Sequence, residues 1–210
     1  TYKIRTRRGF VLEGSSEHPI LTDTKGFVKL SEVQVGQDVI IDKSNVPFPD
    51  GKSDFYWNLS DHTELTVVLL GTKSHIQKYL QVLFKSCILG DVSIDLATAN
   101  EDIAIQVQLL LLRFGIVCHR HNNILALIGA EIEKFSKTIG FSSLLERDLL
   151  QYATLKDFAP DVLYDSIEEI TESEADVMDI EVDDESHCFP ANGFINHNTV
   201  ESIGAMCYLW

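Results

Sequence analysis

The stretch "NHNT", residues 196 to 199, places an imidazole, an amide and a hydroxyl side by side. The side-chain amide of Asn198 can attack its own backbone carbonyl, which closes a succinimide ring and cuts the chain after Asn198. An amide is a poor nucleophile and a peptide nitrogen is a poor leaving group, so this reaction needs positioned proton transfer. His197 and His187 are natural proton donors and acceptors because histidine titrates near neutrality. His187 also has a purely structural interpretation, as a hydrogen-bonded histidine of the core.

A second group lies near the start of the sequence, in "GFVLEGSSEHPIL". Two residues separate Ser15 from His18, and their hydroxyl and imidazole can both hydrogen-bond to a peptide group. The simpler interpretation is a serine-rich turn with a histidine before Pro19. The chemical interest of this group depends on whether it is found together with the group at the other end.

Taken together, the two groups resemble the splicing blocks of an intein. The group near the end of the sequence contains, in order, "MDIEV", a His, the turn "ANG", the short strand "FIN" and then His-Asn followed by Thr. The group near the start of the sequence resembles the intein block that holds Thr-x-x-His, with Ser15 in place of the usual Thr. The blocks lie in the order that an intein requires.

The resemblance implies a role for each matching residue. Thr199 would accept an acyl group before Asn198 cyclises, and it would be the first residue of the flanking host protein. Ser15 and His18 would polarise and strain the peptide bond before the first intein residue, a Cys or Ser. Asp179 matches a strand aspartate that tunes the later steps, although it is equally one more acid in an acidic run. None of these steps calls for a cofactor or a metal.

The first intein block, which supplies the N-terminal nucleophile, has no match here. The start, "TYKIRTRRG", reads as a strand entered midway, so we expect the first strands of the fold to be missing. The resemblance then implies the C-terminal part of an intein split unusually early, or a truncated copy of a contiguous one. Its partner would be a short N-terminal intein fragment, and completion of an open sheet edge is a natural way to bind it.

The middle of the sequence resembles a LAGLIDADG homing endonuclease repeat, over "YLQVLFKSCILGDVSI" and "TANEDIAIQVQLLLLRFGI". In that family a helix ends in Leu-Phe-Asp-Ala-Asp-Gly, and the last acid binds a metal that activates water. Here Lys85 and Cys87 occupy the positions of the two carboxylates, and the nearby acid, Asp91, lies outside the motif. The pair of strands that follows the helix in the family is expected to be reduced here to one strand, around residues 92 to 97. We therefore expect a catalytically inactive remnant that does not bind DNA. The "CHRHNN" run is predicted to be a hairpin turn with a chance cluster of possible ligands.

The last twelve residues, "TVESIGAMCYLW", are helical in style. They resemble the helix that follows a phosphate-binding loop in phage terminase large subunits. The resemblance implies that the host protein is such a terminase, silenced until splicing restores its ATP site. It also implies a phage or bacterial cytosol as the location, where the four scattered cysteines would stay reduced thiols.

The elements that must position these groups are predicted to be mainly β. We expect an incomplete Hint (hedgehog/intein) β fold over residues 1–48 and 161–198, with an inserted α/β LAGLIDADG-like subdomain and its linkers at 49–160 and the host segment at 199–210. Within the insert, helical periodicity predicts three helices. They cover "SHIQKYLQVLFKS", the segment from an N-cap at Asn100 to a stop at Gly115, and "AEIEKFSKTIG". The hairpin signature is "IVCHR-HNN-ILALI". The acidic segment after residue 160 is expected to lead back to short strands in "VMDIEV" and "GFINHN".

The charge distribution is uneven around a net charge of −15. Four basic residues lie between Lys3 and Arg8, whereas no Lys or Arg follows Lys156. Both runs can be solvated faces. Alternatively, the two ends of the chain lie together in one sheet and their opposite charges pair across strands. In either case an acidic surface is poorly suited to bind DNA phosphates.

Three other classes of function remain open. A working endonuclease would cut DNA with magnesium, and Lys85 and Cys87 argue against it. A hedgehog-like or bacterial self-cleaving domain would share the fold, but such domains usually lack the terminal His-Asn-nucleophile and the segment after it. The third class is a binding module that uses the β fold only as a scaffold. Apolar runs are too short for a membrane span.

Overall fold

The structure is a computed structural model, which describes residues 1–43, 71–141, 162–177, 182 and 186–198. Contacts divide the chain into two compact units. One contains Thr1–Lys43 and Pro160–Leu209, and the other contains Ser44–Ala159. Each unit has its own sheet, and the sheets are antiparallel. The prediction of a mainly β chain with a few helices is confirmed.

The first unit is an eight-stranded sheet in its described part. Its strands are β1 (Tyr2–Thr6), β2 (Val11–Gly14), β3 (Pro19–Thr22), β4 (Gly26–Lys29), β5 (Asp38–Ile41), β10 (Leu163–Glu172), β11 (Cys188–Ala191) and β12 (Phe194–His197). They pair in the order β11-β12-β3-β5-β10-β1-β2, β4 is added to β3, and β12 also pairs with β5. The chain ends that the sequence separates therefore meet in one sheet.

Side chains alternate between the two faces of these strands, as the pleat of a β-strand requires. The buried positions are apolar on nearly every strand, and they form the core of the unit: Ile4, Leu12, Ile20, Val28, Val39, Ile41, Leu163, Ile167 and Phe194. Because a slip of one residue would turn each apolar set outward, this pattern fixes the register of the strands.

Strand β10 corrects the prediction for the acidic segment. Residues 163 to 172 do not merely connect to later strands, since they form a ten-residue strand between β5 and β1. The predicted pairing of opposite charges is confirmed, because Arg5 binds two carboxylates of β10 and Arg8 binds a third, Asp165. Residue propensities do not predict a strand in so acidic a segment, because Glu and Asp are depleted in strands. Tertiary pairing with a basic neighbour overrides that preference.

A register shift explains how Arg5 contacts two consecutive acids. Arg5 pairs with Glu169 and the next residue, Thr6, pairs with Ile167, so Glu168 is an extra residue in the ladder. Consecutive residues of a regular strand point to opposite faces, whereas a bulge turns neighbours toward one face. The Arg5 guanidinium therefore lies 2.9 Å from a Glu168 oxygen and 2.8 Å from a Glu169 oxygen.

The hairpin β11–β12 turns at Asn192 and Gly193, as predicted from the sequence. Their φ angles are 51° and 87°, and Ala191 pairs with Phe194 on either side. Positive φ at both central residues of a two-residue loop is the type I′ geometry, which Asn-Gly adopts with little strain. This turn determines where strand β12 begins, and therefore where the residues after it lie.

Over residues 71–141, the second unit packs helices on a four-stranded sheet. Its elements are α1 (Lys73–Leu83), β6 (Ile88–Leu89), β7 (Ser93–Ala97), α2 (Glu101–Arg113), β8 (His119–His121), β9 (Ile124–Ile128) and α3 (Ala130–Thr138). The sheet order is β6-β7-β9-β8. No helix among the described residues is long and apolar enough to cross a membrane.

Most local predictions for this unit are confirmed. The Asn100 side chain accepts a hydrogen bond from the Ile103 N–H at 2.9 Å, so it is the N-cap of α2. Gly115 follows α2 with a φ of 69°, and the predicted hairpin is β8–β9. The prediction of one strand around residues 92 to 97 is wrong, because the two-residue strand β6 pairs with β7. So short a strand has no alternation for sequence reasoning to detect.

Candidate active site

The candidate site lies at the end of strand β12. Asn198 directly follows the strand, and its backbone N–H donates to the His187 carbonyl oxygen at 2.9 Å. His197 lies opposite Cys188 in the hairpin ladder. The hairpin therefore brings His187, which precedes β11, beside the residues that end β12.

The His197 ring contacts the carbonyl after which the chain would be cut. Its Nδ1 lies 2.5 Å from the Asn198 carbonyl oxygen. A carbonyl oxygen only accepts hydrogen bonds, so Nδ1 carries the hydrogen in this contact. The Phe27 ring packs edge-on against the His197 ring, with centroids 5.0 Å apart and planes at 64°. An aromatic wall on one side restricts the orientation of the imidazole.

Two buried polar atoms at this site have no hydrogen-bond partner among the described residues, namely His187 Nδ1 and Asn198 Oδ1. The His187 and His197 rings are neighbours, with centroids 5.9 Å apart. His187 also has a φ of 50°, a left-handed conformation that few non-glycine residues adopt. Burying a polar atom without a partner costs free energy, so such atoms in a native fold call for an explanation. Proton transfer to or from Asn198 would supply one.

His18 contacts a different point of β12, at Asn196, which lies two residues before Asn198. Its ring is 3% exposed, and its Nε2 lies 2.8 Å from the side-chain oxygen of Asn196. The ring of Phe189 approaches it edge-on, with centroids 6.4 Å apart. Ser15 takes part through its backbone, since its carbonyl accepts from the His18 N–H at 3.1 Å. The structure thus brings His187, His197 and Asn198 together and places His18 beside Asn196, whereas Ser15 contacts His18.

Asn196 is a site residue that the sequence analysis missed. Its side chain is fully buried, on the same face of β12 as Phe194. The sequence did contain a signal, because alternation along "FINHN" puts an amide where a core strand would carry an apolar side chain. A buried amide without partners is costly, so that position alone could have indicated a specific hydrogen-bonding role.

Other predicted residues lie outside the described part of the chain. Asp179 and Thr199 are among them, as are most of the predicted strand "VMDIEV" and the last twelve residues. Their predicted roles stay predictions.

The predicted endonuclease positions do not form a cluster of acids. Lys85 and Asp91 are exposed, and burial raises the pKa of the half-buried Cys87 thiol. Among the described residues, no group of three or more His, Cys, Asp or Glu side chains could hold a metal ion. The histidines of the "CHRHNN" run, His119 and His121, lie in strand β8 rather than in the turn itself.

No protein-family model matches this sequence, and no curated protein matches it either.

Proposed function

We propose that this chain carries out the C-terminal part of protein splicing, as the C-terminal fragment of an intein. Asn198 cyclises and cuts the chain after itself, and Thr199 receives the acyl group that joins the two flanking segments. The observation that carries the proposal is the contact of 2.5 Å between His197 Nδ1 and the Asn198 carbonyl oxygen. A hydrogen-bond donor placed on that carbonyl is what the cyclisation requires.

The cyclisation step follows from this contact. The Asn198 side-chain nitrogen forms a bond to the Asn198 carbonyl carbon, and the carbonyl oxygen gains negative charge. The His197 N–H already points at that oxygen and stabilises the charge as it develops. The bond from the carbonyl carbon to the Thr199 nitrogen then breaks, which leaves a succinimide on this chain and a free amine on Thr199.

The proton balance of the step needs a second group. The attacking amide nitrogen loses one proton, and the departing Thr199 nitrogen gains one. His187 is the candidate carrier, because its Nδ1 is buried without a partner among the described residues and its ring adjoins that of His197. A histidine with an available ring nitrogen can accept and return a proton near neutral pH.

The earlier steps require a group that this sequence does not provide. We propose that an N-terminal intein fragment supplies a Cys or Ser nucleophile, with Ser15 and His18 acting on the peptide bond before it. Strand β2 supports this partner, since among the described strands it pairs only with β1. A strand of the partner can add to such an edge by backbone hydrogen bonds. Asp179 is proposed to tune the later steps.

We further propose that the first unit is a Hint-type fold and the second a LAGLIDADG-like remnant. The succession of α1 and the strand pair β6–β7 supports the second assignment. The outward face of its sheet carries Ile88, Ser93, Asp95, Ala97, His119, His121, Ile124, Ala126 and Ile128. None of these described residues is a Lys or Arg that could neutralise phosphates, which favours loss of DNA binding over a working endonuclease. The host protein is proposed to be a phage terminase large subunit in the cytosol of a bacterial host.

The test is to mix the 210-residue chain with a synthetic N-terminal intein fragment that carries a short extein and a Cys or Ser nucleophile. Mass spectrometry should detect a ligated product together with the excised chain ending in a succinimide. The variant Asn198→Ala should abolish release of residues 199–210. His121→Ala, which changes an exposed histidine of the second unit, is the matched control and should splice normally. Release from Asn198→Ala at the normal rate would exclude the mechanism.

A further inference from the structure

The Asn196 side chain hydrogen-bonds both to His18 and to backbone carbonyls of the β11–β12 hairpin. Its Nδ2 donates to the carbonyl oxygens of Phe194, at 2.9 Å, and Phe189, at 3.4 Å. Its Oδ1 lies 2.8 Å from His18 Nε2. Asn196 is 0% exposed and His18 is 3% exposed, so water competes little for these bonds.

These contacts determine which ring nitrogen of His18 carries a hydrogen. The two carbonyl oxygens can only accept, so they fix the amide with its NH₂ group toward them and its oxygen toward His18. An amide oxygen also only accepts, so Nε2 of His18 must donate. In the neutral ring this is the Nε2–H tautomer, in which Nδ1 holds the lone pair.

We propose that Asn196 is a positioning residue for the first splicing step, because it holds His18 in the Nε2–H form. This inference rests on the proposed function. In that step a bond forms from the Cys sulfur or Ser oxygen of the N-terminal fragment to the preceding carbonyl carbon, and the bond from that carbon to the peptide nitrogen breaks. The proton of the nucleophile moves to the departing nitrogen. Only a ring nitrogen with a lone pair can relay it, and the Asn196 contact assigns that task to Nδ1.

The position of Asn196 also ties the first step to the last. Asn196 and Asn198 are two residues apart, at the end of the same strand, so a displacement of β12 would move both the partner of His18 and the cyclising residue.

The first test reads the tautomer by NMR, on the full 210-residue chain labelled with ¹⁵N-histidine and without any partner fragment. Two-bond ¹H–¹⁵N spectra distinguish a ring nitrogen that carries hydrogen from one that does not, and His18→Gln identifies the signal. We expect a slowly exchanging hydrogen on Nε2. It should persist in Asn196→Asp, which keeps an acceptor oxygen, and lose its protection in Asn196→Leu, which is similar in size but has no acceptor. A neutral His18 with hydrogen on Nδ1 in the unmodified chain would overturn the proposal.

The second test measures the first step itself. In the Asn198→Ala background, hydroxylamine cleaves the ester or thioester that forms at the N-terminal junction after the partner fragment is added. Asn196→Leu should slow this cleavage by about 10-fold or more, the effect of losing one buried hydrogen bond, and Asn196→Asp should restore part of the rate. Equal rates in all three chains would refute the role of Asn196. Absence of any ester or thioester in the chain that carries Asn198→Ala alone would instead refute the proposed function, whereas the NMR result does not depend on that function. If Asn196→Leu does not fold, the Asp variant and the unmodified chain still decide the tautomer.

Discussion

Removal of the His197 imidazole is the sharpest perturbation of the proposed cyclisation. In His197→Ala, the Asn198 carbonyl loses the ring N–H that lies 2.5 Å from its oxygen. The charge on that oxygen grows as the amide attacks, so the lost hydrogen bond is worth more in the transition state than in the ground state. Loss of one such donor slows comparable reactions by about 100- to 1,000-fold, or about 3 to 4 kcal/mol of barrier. We expect a decrease of that size in the rate of cleavage after Asn198.

The assay follows release of residues 199–210 by mass spectrometry under single-turnover conditions, after the N-terminal fragment is added. Phe27→Leu is the matched control, because it removes the edge contact to the ring and leaves the ring N–H in place. An aromatic pair contributes about 0.5 to 1.5 kcal/mol, so this variant should lose about 10-fold at most. If His197→Ala and Phe27→Leu slow cleavage equally, the carbonyl contact does not stabilise the transition state and the reasoning is refuted.

Three further predictions concern other parts of the fold. Gly14→Ala should slow the first splicing step, because the added Cβ would lie 2.9 Å from Leu30 Cδ1 and 3.3 Å from His18 Cγ, so that these side chains must shift. Arg8→Ala should lower the free energy of unfolding in urea by about 2 kcal/mol, because it removes the ion-pair partner of the 1% exposed Asp165 carboxylate. Burial raises the pKa of Tyr79 to about 12, so tyrosinate absorbance should show this phenol ionising at a higher pH than an exposed tyrosine. Its protonated form therefore stabilises the fold fully below pH 10, and this contribution should be lost as the pH rises to 12.

Each of these predictions has a control. Gly90→Ala crowds a serine in the second unit and should leave the splicing steps unchanged. Arg5→Ala breaks pairs whose carboxylates are half exposed, at 52% and 51%, and should cost about 1 kcal/mol or less. An Arg8→Ala variant as stable as the unmodified chain would mean that water or the backbone N–H of residue 8 satisfies Asp165 alone. Urea-unfolded chain should show ordinary tyrosine titration near pH 10 at all positions.

The sequence alone determined those features that depend on local chemistry. Asn-Gly at 192 and 193 dictated a tight turn because few residue pairs accept positive φ at both positions. The cap at Asn100 and the stop at Gly115 followed from the unpaired backbone groups at helix ends. The pair His197 and Asn198, which we propose to react, could likewise be selected from the sequence because the proposed chemistry involves neighbours in sequence. These features need no information from distant residues.

Features that depend on distant partners were decided only by the tertiary structure. Strand β10 is a strand because basic β1 lies beside it, although its own composition argues against one. His18 and Asn196 are 178 residues apart, and their hydrogen bond exists because β3 and β12 are neighbours in the sheet. The sequence specified which side chains can act, since that is a property of each residue type. Which nitrogen of His18 carries the hydrogen is set by a partner at the other end of the chain, because a tautomer depends on the hydrogen bonds that folding brings to the ring.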